Sequence, residues 1–187
     1  MSKNHTFRLS PFSFIFSLSF VSLLFLLLFI SDIAIGQDIA ELERRNGFKD
    51  LKVGMMIDSV KGTEFKKDVK ERNEFPAKLY AVENSDYKTI GEVKVKSVEV
   101  KTYKDIVYEI VVITHKDTRL MKGMMRSFGQ PKYILTTDTY NWVGNNIGLT
   151  FKDHSRNEIK LTYRCFSIIK MMYEDKGKKI DEIAEDF

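Results

Sequence analysis

From Glu92 to Thr114 apolar and polar residues alternate, slip, and give way to a nearly continuous apolar run. Val93 and Val95 alternate with lysines, the phase slips at Ser97-Val98, and Val98 and Val100 carry on, which predicts a strand with a bulge near Ser97. A polar turn at Lys104-Asp105 leads into Ile106-Val107-Tyr108-Glu109-Ile110-Val111-Val112-Ile113. So dense a run predicts a central strand with both faces covered. A long helix is the competing reading, but β-branched residues lose rotamer freedom in a helix and pack well on a pleated surface.

Other periodicities place elements around this hairpin. Leu120, Met121, Met124, Met125 and Phe128 form one stripe at helical spacing, so Thr114 to Gly129 reads as the main helix, opened by Thr114 with Asp117 and closed by Gly129 and Pro131. Tyr140 and Trp142, the turn Gly144-Asn145-Asn146, and Ile147, Leu149 and Phe151 predict a second hairpin. Ile159, Leu161, Tyr163 and Cys165 alternate on one face of a further strand. Ser167 to Phe187 is helical in composition, with Gly177 expected to weaken or break it. Upstream, Gln37 to Asn46 reads as a short helix or tether, Phe48 to Gly54 as a first strand, and Met55 to Lys61 as a helical turn with Met56, Ile57 and Val60 inward. Phe65 and Val69 between charges predict a weakly amphipathic helix from Thr63 to Asn73, and Leu79 to Val82 a short strand. The sum is an α+β domain: a mostly antiparallel sheet of about five or six strands, with one main amphipathic helix packed on one face.

The N-terminus changes the picture of where this domain works. Lys3 and Arg8 precede an apolar run from Phe12 to Ile30, and Ala34-Ile35-Gly36 puts small residues where a signal peptidase reads them, so residues 1–36 are expected to be a signal peptide and Gln37 the mature start. The run is also long enough to stay as an uncleaved anchor. Either fate puts residues 37–187 outside the cytoplasm, in a periplasm or beyond the cell, with membrane contact only through the N-terminal segment if it is retained. No cysteine follows the run to carry a lipid, and the lone Cys165 cannot close an intramolecular disulfide, so packing must hold the domain. The formal charge of +4 is modest, and its lysines and acids are interspersed, which argues against nucleic acid as a partner.

Reactive groups are scarce. Beyond the export segment only His115 and His154 remain, without ligand spacing, and Asp153-His154-Ser155 is a triad only in sequence. No phosphate loop, Cys-x-x-Cys, His-Glu-x-x-His or nucleophile elbow is present. No catalytic, cofactor-binding or metal-binding residue is therefore assigned, no cofactor is expected, and the chain reads as a non-enzymatic binding or interaction protein. Its partner would be another protein or an envelope component. The pairs Met55-Met56, Met124-Met125 and Met171-Met172 carry the alternative, a small-molecule or copper carrier using methionine and aromatic side chains, against the plainer reading that they fill core.

Val53-Gly54-Met55 followed by Val60 resembles the strand-to-helix step that opens small cell-envelope proteins of the SmpA/OmlA class and the β-lactamase-inhibitor-like fold. Leu120 to Pro131 with Phe128-Gly129-Gln130-Pro131, then Trp142, resembles their helix, Gly-x-Pro and aromatic strand. The resemblance implies an exported α+β envelope domain. In this sequence the Gly-x-Pro lies far downstream of the Gly-Met step and the lipid-bearing cysteine is missing, and no functional residue is carried over.

Overall fold

The structure, a computed structural model, describes residues 37–72 and 74–187. The export segment expected at 1–36 lies outside the described residues, and among those residues no helix is long and apolar enough to cross a membrane.

The predicted hairpin is present and central. β6 (Val93–Tyr103) and β7 (Ile106–His115) pair through a two-residue turn in which Lys104 and Asp105 both take positive φ, of 50° and 62°. This conformation suits the right-handed twist of the strands it joins. Two bulges interrupt the pairing. Lys96 is the extra residue on β6, next to the predicted position, and Tyr108 is the extra residue on β7, where Lys101 faces Glu109 but Thr102 faces Val107. β7 is buried along most of its length between β6 and β11 (Glu158–Cys165).

The sheet is larger than expected. It has nine antiparallel strands instead of five or six, with β3 (Thr63–Glu71) and β4 (Phe75–Val82) before β6. Beyond β11 come β10 (Ile147–Ser155), β9 (Thr139–Val143) and β8 (Lys132–Ile134), and the short β5 (Thr89–Ile90) pairs with the start of β6. The helix predicted over Thr63 to Asn73 is instead the edge strand β3. None of its side chains is buried and six of the nine are exposed, so the helical spacing of Phe65 and Val69 misleads, and pairing with β4 decides its conformation. The bulge at Lys66 and the neighbouring lysines guard this edge against further pairing.

Three helices cover the sheet. α1 (Ile39–Arg45) is capped by the Asp38 carboxylate and ends at Asn46 in the left-handed region. The chain then makes a ribbon of two short strands, β1 (Gly47–Phe48) and β2 (Leu51–Lys52), where one strand was predicted. The helical turn after it is a 3-10 turn, Ile57–Ser59; Ile57 and Val60 point inward but Met56 is half exposed. α2 (Thr118–Phe128) starts later than predicted. Asp117 caps it by accepting from the Arg119 N–H at 2.8 Å, while Thr114 stays buried in β7. α3 (Phe166–Glu185) runs unbroken through Gly177, held by Tyr103 and Lys104 on Asp175 and by Lys176 on Glu74.

Consecutive residues of a strand face opposite sides, so Tyr163 on β11 looks toward α1 and α2 and Arg164 toward α3. On the α3 side, the bulge turns the neighbours Tyr108 and Glu109 toward one group of partners. Glu109 is 2 % exposed and accepts from Lys101 at 3.0 Å and from the Arg164 Nε; Lys101 and the Tyr108 hydroxyl both donate to Glu71, at 2.8 and 2.9 Å.

Gly62, between the 3-10 turn and β3, has φ +78°, and a Cβ there would meet the Glu83 carbonyl oxygen at 2.1 Å. Gly62→Ala is expected to lower stability by roughly 2 kcal/mol or more, read as a drop in the urea midpoint with unchanged slope.

Candidate functional site

α2 is fastened to the sheet at its C-terminal end. The Phe128 carbonyl accepts from the Asp38 N–H at 2.7 Å, and the Gly129 carbonyl accepts from the indole N–H of Trp142, fully buried on β9, at 2.8 Å. The Phe128 ring meets that of Trp142 edge-on, with centroids 6.3 Å apart. Orphan carbonyls at a helix end need such donors, and here two come from outside the helix. Toward its N-terminus α2 stands beside the turn between β5 and β6, joined to it by an ion pair of Arg119 with Glu92 at 2.8 Å, both largely exposed.

Between these two attachments lies a cavity of about 450 Å³, within the size range of small-molecule pockets. Phe48, Val93, Leu120, Met124, Phe128 and Leu161 give it an apolar wall, and Tyr163 of β11 belongs to its lining. Two features set this cavity apart. Tyr163 is 6 % exposed, and its hydroxyl has no hydrogen-bond partner among the described residues, although buried phenols ordinarily find one. Burial pushes this phenol up to about 12, opposed by the positive charge of Arg45. Gly123 lies inside α2 and on the cavity, and a Cβ built there would meet nothing within 4 Å. A glycine in a helix interior costs roughly 0.5–1 kcal/mol relative to alanine, and packing does not require one here.

Arg45, at the end of α1, completes the lining. Its Nε donates to Glu41 at 2.6 Å and its guanidinium stacks over the Phe128 ring, 5.3 Å from the centroid. The second arginine on the cavity, Arg119, is committed through all three nitrogens to Asp117 and Glu92.

Other hollows are less selective. One of about 520 Å³ runs along the β3–β4 edge, but two of its lysines, Lys78 and Lys104, are paired with Asp105 and Asp175, and the unpartnered Thr102 hydroxyl beside it is sealed from solvent. A recess of about 30 Å³ under α3 adjoins the Glu71, Tyr108 and Arg164 group. That group balances two carboxylates against two cations. Burial raises Glu71, but the hydrogen bonds from Lys101 and Tyr108 outweigh it and hold the carboxyl below its ordinary value.

The residues weighed in the sequence are scattered. His115 and His154 are exposed at the ends of β7 and β10, and Asp153 pairs with Lys116. No group of three or more His, Cys, Asp or Glu gathers among the described residues. Of the methionine pairs, Met124 lines the cavity, Met172 is buried on the opposite face of the sheet, and Met55 takes the Lys52 N–H, so the three pairs do not converge. Cys165 is buried, with its Sγ 3.2 Å from the Ser167 hydroxyl. Arg45 and Tyr163 escaped notice as site residues because nothing in a linear pattern shows an unpaired hydroxyl. Gly123 was a visible signal, a helix breaker inside the best helical stripe.

No family model matches the chain, and no match to it was found among the curated proteins or the solved structures.

A phenol raised by burial leaves stability intact below the ordinary tyrosine value, near 10, and removes it as pH rises toward the folded value, because the unfolded chain ionises first. For Tyr163 the span from 10 to about 12 corresponds to about 3 kcal/mol. Burial also raises Tyr87 and Tyr108. Denaturation at successive pH values is expected to show stability falling above pH about 10, with a shallower fall in Tyr163→Phe; an identical fall in the variant would refute this role.

Proposed function

We propose that the domain is an exported, non-enzymatic binding protein that holds a small, mainly apolar molecule between α2 and the sheet. The export part of this reading rests on Lys3, Arg8 and the apolar run from Phe12 to Ile30. The observation that carries the binding part is the cavity of about 450 Å³ with its apolar wall, to which Gly123, inside the helix, adds no side chain. Apolar walls with a few placed polar groups are the usual composition of a small-molecule site. The polar groups on the cavity are Tyr163, Arg45, Ser127 and the paired Arg119 and Glu92, and no nucleophile there is hydrogen-bonded to a base, which supports holding a ligand more than transforming it.

Gly123→Leu is the direct test, because it should restore helix propensity while filling the cavity. The expected result is unchanged or slightly raised stability, by up to about 1 kcal/mol, together with at least tenfold weaker binding of a polarity-sensitive naphthylamine dye, followed by fluorescence titration. Equal dye affinity in the two proteins would show that the dye binds elsewhere.

A second reading, recognition of another protein or an envelope component, is favoured by the end of α3, where Ile180, Ile183 and Phe187 are 55 %, 59 % and 104 % exposed. Under it, Ile183→Asp would abolish cross-linking to an envelope partner and leave dye binding intact.

A further inference from the structure

Besides the Ser127 hydroxyl, the lining of the α2 cavity contains two side chains with polar donors that have no acceptor among the described residues, and they belong to different elements. The Tyr163 hydroxyl is on β11 and has no partner among the described residues; the Arg45 guanidinium is at the end of α1 and spends only its Nε, on Glu41. Its two terminal nitrogens, the fork that grips a carboxylate from both sides, have no side-chain or backbone acceptor among the described residues. The opposite holds for Arg119, whose nitrogens are all engaged by carboxylates of the protein itself.

Arg45 is also well placed to be selective. Glu41 and the Phe128 ring hold its head in one orientation, so little rotamer freedom is left to lose on binding. The Asn46 amide, next in the chain, donates to the Val53 carbonyl at 3.0 Å, and Lys52 donates to the Arg45 carbonyl at 2.7 Å, which fixes the backbone from which Arg45 projects. The Tyr163 hydroxyl opens on the cavity, where a ligand's acceptor can reach it, and an apolar wall selects for a ligand that is mostly hydrocarbon.

We infer that the ligand is an amphiphilic monocarboxylate, its chain or ring against Phe48, Leu120, Met124 and the open side of Gly123, and its carboxylate accepting from the Tyr163 hydroxyl and the Arg45 fork. This inference rests on the small-molecule reading of the cavity and adds to it the charge and the acceptor of the ligand's head.

The test uses the chain expressed with its own N-terminal segment and the naphthylamine dye as reporter, displaced in parallel by decanoate, methyl decanoate and decanol. Decanoate is expected to compete at least tenfold better than its methyl ester, because the ester keeps the chain and loses the charge. Tyr163→Phe, which removes one oxygen atom, is expected to weaken decanoate about tenfold and the ester by no more than about twofold. Arg45→Met is expected to erase the preference for decanoate, and Arg45→Lys to restore only part of it, because an ammonium lacks the fork. Circular dichroism of each variant confirms that it is folded. Equal competition by all three compounds in the unaltered protein overturns the carboxylate and leaves the apolar cavity standing. Failure of the dye and of every competitor to bind overturns both.

Discussion

The face of the sheet that carries the candidate site is organised by the way α2 ends. Phe128 and Gly129 each present a carbonyl that the helix cannot satisfy, and donors from two distant parts of the chain, the Asp38 N–H and the Trp142 indole, meet them. These bonds draw α1 and β9 to the same point and set where Arg45 and Phe128 come together. With its end fixed in this way, the rest of α2 follows a line that leaves space above Leu161 and Tyr163. Gly123 of the helix lines that space and adds no side chain to it.

The opposite face solves a different problem. A glutamate near the middle of a fully paired strand would be intolerable alone, since removing a charge from water costs several kcal/mol. The Tyr108 bulge, the cross-strand Lys101 and the in-register Arg164 together surround Glu109 with donors, and Glu71 on β3 balances the second cation. The group ties strands from the edge to the centre of the sheet. Its charges cancel and both of its carboxylates are met by donors of the protein, so it is better suited to fixing the sheet's register than to meeting a ligand. The α2 cavity differs in its larger apolar hollow and in a phenol, Tyr163, that donates to no group of the described residues, whereas Tyr108 donates to Glu71.

The two faces also differ in what could change without loss of the fold. Around Glu109 each member has another member as its partner, so removing one strands a charge. Around the α2 cavity the Tyr163 hydroxyl has no partner among the described residues, so replacing it strands no charge.

Local pattern by itself determined the hairpin of β6 and β7, the bulge beside Ser97, the α2 stripe, the β9–β10 hairpin and the buried alternation of β11. In each, one face is consistently apolar and the period is therefore visible. It misjudged Thr63 to Asn73, where the strand Thr63–Glu71 has no buried side chain and its partner strand fixes the conformation, and it placed the helix cap at Thr114 because it could not tell that β7 would continue through that residue. The extra strands β5 and β8 are too short to show a period, and α3 continues through Gly177, with the adjacent Asp175 and Lys176 paired to Lys104 and Glu74 in two turns of the sheet. Tertiary structure alone decided the site. Whether a tyrosine hydroxyl has a partner, or a glycine faces empty space, depends on residues brought together from α1, α2 and β11, and such relations are properties of packing that no stretch of sequence carries.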